Sequence, residues 1–395
     1  MLEKRLGVLA GIFLIGVLAL ASVAGSPPSA ASAPGGTSGG SSDSTGQVPG
    51  AMQSAARAIQ ALASGASGLA TTAAHALSAL GASSAADPAA VSPAGGPVSY
   101  GADGRLTILL IGSDWRKHLY GERTDVIMVV TIDPATKRVA TASIPRDTIY
   151  FPRAKANGGG TTKTNRVNAI YLLYYRHTNL AHGKVDLGAL VKFKKDVAAA
   201  LQTEIDYVAM IRFTGFTQLV NAIGGINVQI ADAIRDSFLR TSGHGKRGVY
   251  FPKSSSWHLT GNPPCTPYPA KCHNSLAYAR SRHGWVGSSY NSDFARARRQ
   301  QGMVVAGTDQ IVSNGQSSLS SLLTYAKSRV YTDLPETLAA ATQLYSLVNG
   351  AHLAHGDQVV FSPNKWAVQR QRDPIYTFEL RLPQVRAWIN NHFGS

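Results

Sequence analysis

Acidic and basic residues stand at the ends of apolar segments near the centre of this 395-residue chain. Asp114 follows one apolar run and Asp125 begins the next, while a third run ends at Arg146 and Asp147. Paired carboxylates supply the oxygen ligands that divalent cations prefer, and each arginine can bind phosphate oxygens with two donors. The pattern therefore predicts chemistry on a metal-bound phosphate or diphosphate.

A later segment, DFARARRQQ, carries a second group of such residues. On a helix, Asp293, Arg296 and Gln300 share one face. Arg299 lies beside that face, one turn beyond Arg296, whereas Arg298 points elsewhere. An exposed basic helix with an acid at its start is the alternative interpretation.

The elements that must position these residues follow from hydrophobic periodicity. Leu106 to Gly112 is typical of a buried strand, and 125–132 with 138–144 is typical of a β-hairpin. Further strands are predicted at 207–211 and 226–230, and helices at 166–175, 186–202, 213–223, 274–282, 293–312, 319–328 and 335–348. This alternation predicts a three-layer α/β/α sandwich with a mixed central sheet.

The N-terminal quarter has a different composition. Residues 1–5 carry Lys4 and Arg5, residues 6–25 are apolar and uncharged, and 26–98 are rich in Ala, Ser, Gly and Pro. We expect a cytoplasmic tail, a single transmembrane anchor, a disordered linker and an extracytoplasmic domain over 99–395. A cleaved signal peptide is the alternative to the anchor. Either way the domain is exported, so the net charge of +16 argues for an anionic partner other than nucleic acid.

The two cysteines, Cys265 and Cys272, stand seven positions apart in a Pro-rich segment. In an oxidising compartment we expect a small disulfide loop. Free thiols or half of a metal site are the alternatives, and a thiolate zinc site lacks further cysteines.

Several motifs in fixed order resemble the LytR-CpsA-Psr family of membrane-anchored envelope phosphotransferases. They are LLIGSDWR, GERTDVIMVVTIDP, TASIPRDT, NRVNAIY, FTGFTQLVNAIGGINV, LAYARSR and DFARARRQQ. The resemblance covers about Leu106 to Ala306 closely and the C-terminal helices more loosely. It implies an α/β/α fold with a lipid-binding pocket whose charged mouth holds a diphosphate and Mg²⁺, with Mn²⁺ as the alternative ion.

Site residues follow from this resemblance position by position. It implies Asp114 and Asp125 as metal ligands, and Asp147 and Asn168 as residues that organise the site from behind. The residues that it implies around the diphosphate are Arg123, Arg146, Arg280, Arg282, Arg296, Arg299 and Gln300. Catalysis is expected from Arg123, Arg146, Asp293 and Arg296. For the general base, Asp293, Asp147 and a route without a protein base all stay open.

The resemblance implies a transferase that moves a phospho-glycopolymer from a polyprenyl-pyrophosphate carrier at the cytoplasmic membrane to peptidoglycan. The alternatives are a polyprenyl-phosphate binding protein without turnover, a pyrophosphatase that uses water, and a regulator that binds DNA. We expect apolar strand and helix faces to line the lipid pocket. The candidates are Ile108, Leu110, Val129, Ile170, Leu173, Phe193, Val197, Phe216 and Leu219.

Overall fold

A computed structural model describes most of the chain from residue 98 onward. The described ranges are 98–115, 122–163, 165–176, 183–237, 239, 248–265, 270–282, 292–326, 328–335, 337–372 and 375–394. The expected tail, anchor and linker at 1–97 lie outside the described residues. Within the described ranges, no helix combines the length and apolar character needed to cross a membrane.

A six-stranded mixed sheet forms the centre of the domain, in the order β10-β3-β2-β1-β4-β9. Its strands are β1 (Leu106–Ser113), β2 (Thr124–Ile132), β3 (Arg138–Ser143), β4 (Tyr207–Arg212), β9 (Val330–Thr332) and β10 (His352–Val360). β1 runs parallel to β4 and antiparallel to β2, and β10 runs parallel to β3. The mixed α/β fold with a central mixed sheet is thereby confirmed.

Helices cover both faces of the sheet. They are α1 (Ile170–Tyr175), α2 (Leu187–Leu201), α3 (Phe213–Ala222), α4 (Ser275–Arg280), α5 (Asp293–Asn314), α6 (Leu319–Ala326), α7 (Leu338–Val348) and α8 (Leu382–Phe393). Ile108 of β1 packs in one core with α3, α5, α6 and α7. Its neighbour Leu109 packs in a second core with α1, α2 and α8, because successive strand residues face opposite sides.

Side-chain caps fix where several helices begin. Asp186, Asn274, Ser292 and Thr337 each accept a hydrogen bond from the backbone N–H three residues later. Such caps satisfy one of the backbone donors that a helix start leaves open. The cap at Ser292 places Asp293 in the first turn of α5, where the helix dipole favours an acid.

Smaller strands lie outside the central sheet. They form the pairs β5 (Ile226–Ile230) with β8 (Ser254–Leu259), β6 (Ile234–Asp236) with β7 (Val249–Phe251), and β11 (Ala367–Arg372) with β12 (Ile375–Leu380). Cys265 and Cys272 form a disulfide next to the β5–β8 pair, and both residues are buried in the first core.

Candidate functional site

The ends of β1 and β2 bring the first two acids together. Asp114 directly follows β1, and Asp125 is the second residue of β2. The Asp114 backbone N–H donates to the carbonyl of Arg123 at 3.0 Å, beyond the irregular step between Gly112 and Ser113. Both carboxylates line one polar pocket at this edge of the sheet.

Arg146 connects three carboxylates just beyond the end of β3. Its Nη1 donates to Asp125 Oδ2 at 2.9 Å, and its Nε lies 3.3 Å from both Asp147 Oδ2 and Asp293 Oδ2. Burial would lower the pKa of Arg146, but Asp125, Asp293 and Asp147 raise it above its ordinary value. The guanidinium therefore stays charged at every physiological pH.

The turn that carries Arg146 is held by two other parts of the chain. Arg166 donates to Asp147 Oδ1 at 2.7 Å. From the C-terminal hairpin, the Phe378 backbone N–H donates to the Asp147 carbonyl at 3.2 Å, and the Phe378 carbonyl accepts from Ile149 at 2.8 Å. Asp147 is thus held by Arg166 and by the C-terminal hairpin, and it lies outside the lining of the polar pocket.

Asn168 occupies a similar supporting position beside Asp125. Its Nδ2 donates to Asp125 Oδ1 at 3.1 Å, while Arg146 holds the other oxygen of that carboxylate. The structure therefore brings both Asn168 and Asp147 next to Arg146.

The first turn of α5 adds an acid and a buried arginine. Asp293 Oδ1 lies 3.6 Å from Arg282 Nη1 and 3.5 Å from Arg296 Nη2. Burial would raise the pKa of Asp293, but Arg296, Arg146 and Arg282 lower it below its ordinary value. Asp293 is consequently an anion that draws three guanidiniums together.

Some polar atoms in this cluster lack hydrogen-bond partners among the described residues. They are Asp293 Oδ1, Arg146 Nε and Arg296 Nε, each buried from solvent. The two arginine atoms are N–H donors and the Asp293 atom is an acceptor. Because buried polar groups are normally satisfied, the two open donors mark a place where an anionic ligand would bind.

Arg280 and Arg282 reach the site from the end of α4. The helix ends at Arg280, two residues earlier than predicted, so Arg282 stands on extended chain. The guanidinium of Arg280 lies 5.2 Å from the centre of the Phe213 ring, a cation–π distance. Both arginines line the polar pocket.

Three predicted diphosphate ligands have different surroundings. Arg123 is exposed and lies outside the lining of the polar pocket. Arg299 is buried, and its donors meet backbone carbonyls of Tyr278 and Ser281. Gln300 lines the pocket, yet its Nε2 donates to the carbonyl of Ala279 at 3.0 Å.

The polar pocket combines guanidiniums and carboxylates in a space of about 860 Å³, its open mouth included. Its charged lining residues are Asp114, Asp125, Arg146, Asp236, Arg280, Arg282 and Arg296. Asp236 was missed by the sequence reasoning, because an acid in a short three-residue strand carries no motif. Four guanidiniums line this pocket, and guanidiniums bind phosphate oxygens with two donors each.

A second, almost wholly apolar cavity of about 990 Å³, its mouth included, adjoins the polar pocket. The residues that line both spaces are Val126, Phe213, Arg280 and Gln300. Deeper apolar lining comes from the first core, including Leu110 and Phe216. The other predicted lipid contacts do not line this cavity. Ile108 and Leu219 are in the first core, Leu173 is half-buried, and Val129, Ile170, Phe193 and Val197 are in the second core.

The donor set fits a hard divalent cation. Within the described residues, no three His, Cys, Asp or Glu side chains cluster as a metal site would require. Asp114 and Asp125 nevertheless face one pocket, and Mg²⁺ is commonly held by one or two carboxylates together with substrate phosphates. These two residues would hold the ion.

Known proteins resemble this chain over much of its length. The LytR_cpsA_psr family model matches residues 69–388. The polyisoprenyl-teichoic acid--peptidoglycan teichoic acid transferase TagU of Bacillus mycoides is 30% identical over 236 residues, 58% of this chain and 61% of that protein. The corresponding transferase TagV of Bacillus subtilis is 28% identical over 244 residues, 61% of this chain and 53% of that protein.

Solved structures show the same fold. The crystal structure of Bacillus subtilis TagV has a TM-score of 0.50 at 24% identity, covering 73% of this chain and 97% of that chain. A structure of TagT bound to LI-WTA has a TM-score of 0.50 at 19% identity, covering 74% and 92%. The chain spans between about half and three fifths of the curated relatives' own length. With a family model matched over most of its residues, the chain belongs to the LytR_cpsA_psr family.

Proposed function

We propose that this chain is a phosphotransferase that moves a phospho-glycopolymer from a polyprenyl-pyrophosphate carrier to peptidoglycan. One observation carries the proposal: a pocket lined by four arginines adjoins an apolar cavity, and the two spaces share the lining residues Val126, Phe213 and Arg280. A prenyl diphosphate has this same division into an anionic head and an apolar tail. The names of TagU and TagV, which describe transfer of teichoic acid to peptidoglycan, support the reaction class.

The prenyl tail would occupy the apolar cavity and the diphosphate would occupy the polar pocket. An acceptor hydroxyl attacks the phosphorus next to the polymer, a new P–O bond forms, and the bridging P–O bond breaks. Polyprenyl phosphate leaves with the electron pair. Arg146, Arg282 and Arg296 are fixed in advance by Asp293, so they stabilise negative charge without reorganising.

Mg²⁺ bound to Asp114 and Asp125 would supply positive charge that neutralises the diphosphate. The low pKa of Asp293 makes it a weak proton acceptor, so we assign it the role of holding the three arginines. Both oxygens of Asp147 face arginines. The base that takes the acceptor proton stays open.

We also propose that residues 6–25 anchor the chain in the cytoplasmic membrane and that the domain over 99–395 faces outward. The apolar segment after Lys4 and Arg5 supports this orientation. Such an anchor would keep the pocket close to a donor that is itself embedded in the membrane. The Ala/Ser/Gly/Pro-rich stretch 26–98 would let the domain reach the wall.

The test is a transfer assay with the full-length chain in detergent, a polyprenyl-pyrophosphate-linked glycopolymer and purified peptidoglycan. Mass spectrometry of digested peptidoglycan should show a phosphodiester-linked product in the presence of Mg²⁺. Arg146→Gln should lower the rate by about 10²–10³-fold, because it removes a fixed charge next to the reacting phosphate. Arg370→Gln, on the exposed β11–β12 hairpin, is the matched control and should leave the rate unchanged.

Other outcomes of this assay would contradict the proposal. Binding of the donor without any product would favour a lipid-phosphate binding protein. Release of polyprenyl phosphate in the absence of peptidoglycan, at the full rate and with water as the acceptor, would favour a pyrophosphatase.

A further inference from the structure

Ser281 lies between two buried residues of opposite charge. Asp236 and Ser281 are each 1% exposed, and Arg299 is 7% exposed. Asp236 Oδ2 accepts from the Ser281 hydroxyl at 2.9 Å and from the Arg282 backbone N–H at 3.0 Å. On the other side, Arg299 Nη2 donates to the Ser281 carbonyl.

α5 binds the end of α4 at further points. Arg299 Nε donates to the Tyr278 carbonyl at 3.3 Å, and its guanidinium lies 5.7 Å from the Tyr278 ring centre. The neighbouring Gln300 donates to the Ala279 carbonyl at 3.0 Å. The last carbonyls of a helix lack intrahelical partners, and a cation at this end is favoured by the helix dipole.

Asp236 is fixed on its own side as well. It ends β6, which pairs with β7 through Asp236↔Val249, and its Oδ1 accepts from the Leu239 backbone N–H at 3.1 Å. The segment Arg280–Arg282 is thus held between a strand and a helix that come from separate parts of the chain. Because Arg280 and Arg282 flank Ser281, this grip determines where both guanidiniums stand in the pocket.

We propose that Asp236 and Arg299 are positioning residues: they clamp Ser281 from two sides and thereby aim Arg280 and Arg282 at the diphosphate. This inference rests on the proposed function. It gives Arg299 a different role from the direct diphosphate contact that the family resemblance implies. Arg299 Nε and Nη2 are directed at backbone carbonyls, so Arg299 acts through its neighbours.

A double-mutant cycle separates aiming from direct contact and from general damage. The full-length chain in detergent is titrated with geranylgeranyl pyrophosphate in Mg²⁺ buffer, and the dissociation constant is measured by calorimetry. Arg299→Gln should weaken binding by about tenfold, the size expected when bonds to a charged group are lost. In the Arg282→Gln background, the same change should weaken binding less than about twofold, because the Arg282 guanidinium that Arg299 positions is already absent.

Ser281→Ala is the milder second variant, since it removes only the hydroxyl that donates to Asp236. It should weaken binding by about threefold, and this effect should also shrink in the Arg282→Gln background. Arg298→Gln removes an exposed charge from the same helix and should leave binding unchanged. Thermal melting of each variant reports whether the fold is retained.

The outcomes divide clearly. Equal losses from Arg299→Gln in both backgrounds would show direct contact or general damage and would overturn the clamp. Full binding in both Arg299→Gln and Ser281→Ala would also overturn it. A third outcome combines coupled losses of binding in the variants with a wild-type chain that binds the diphosphate but never transfers polymer. It would support the clamp and contradict the proposed function.

Discussion

Filling the apolar cavity from Ala209 should strengthen the fold and weaken the binding of a prenyl diphosphate. Ala209 lies on β4 between Leu110 of β1 and Thr332 of β9, is 4% exposed, and lines the cavity. Ala209→Ile adds three carbon atoms to this space. A solid core would have no room for them, whereas an open cavity would accept them.

The magnitudes follow from the carbon count. Each buried methylene contributes about 0.8 kcal/mol, so three carbons contribute about 2 kcal/mol when fully shielded from water. Since the cavity has an open mouth, we expect the free energy of unfolding to rise by about 1 kcal/mol. A ligand tail that loses the same space should bind about 2 kcal/mol more weakly, which is roughly 30-fold in the dissociation constant.

Urea denaturation and calorimetry with geranylgeranyl pyrophosphate measure the two quantities on the same preparation. Ala142→Ile is the matched control, because Ala142 is 0% exposed in the second core, opposite Val129 and Val359. Overpacking there should cost about 1–3 kcal/mol without a comparable loss of binding. If Ala209→Ile also destabilises the fold and leaves binding intact, the apolar space is ordinary core and the reasoning is wrong.

Three further predictions concern stability. Burial raises the pKa of Asp206 from its ordinary value to about 6. The folded state therefore keeps a proton that the unfolded chain releases, and stability falls as pH rises from about 4 to about 6. Asp206→Asn should remove this slope. It should raise the free energy of unfolding by about 1 kcal/mol at pH 7, after allowance for solvent screening, and leave it unchanged at pH 4. Urea denaturation at both pH values measures this, and an equal gain at both would contradict it. Replacing Cys265 and Cys272 together by serine should cost about 2 kcal/mol, since the bridge closes a short loop of sequence separation 7, and a urea midpoint unchanged from wild type would show that the bridge contributes nothing. Gly302→Ala, in the exposed interior of α5 with open space around the new methyl group, should add about 0.5–1 kcal/mol, and a lower melting temperature would count against the helix geometry.

The central strands and their polar ends were predictable because the sequence signal there is local. One apolar run stops at Asp114 and another starts at Asp125. Each run predicts a strand, and the charged residue next to it marks the end of that strand. The same holds for Arg146 and Asp147 after β3. Asp114, Asp125 and Arg146 meet in one pocket because β1, β2 and β3 are adjacent.

Other parts of the site depend on contacts that no local pattern encodes. Helical spacing places Arg299 beside the face of Arg296, yet the carbonyl ends of α4 decide which atoms Arg299 meets. Asp236 becomes recognisable only when β6 and α4 are seen together. Both faces of β1 and β2 are apolar, so periodicity could not tell which face borders a cavity and which, like that of Val129, borders solid core.

The C-terminal region was the least predictable. β10, β11, β12 and α8 had no counterpart among the predicted elements. β10 pairs with β3, which lies more than two hundred residues earlier in the chain, so long-range pairing rather than local propensity determines this strand. β11 and β12 pair with each other in a hairpin.

The hydrogen bonds between Phe378 and the turn that carries Arg146 have a consequence for how this protein matures. The nascent polypeptide completes β1, β2 and β3 more than two hundred residues before Phe378 emerges from the ribosome. A prematurely terminated product that lacks β12 would fold without the two backbone bonds that brace this turn. Both of these bonds to the Arg146 turn thus form only once translation is nearly finished, so the geometry of this turn depends on the C-terminal hairpin being made.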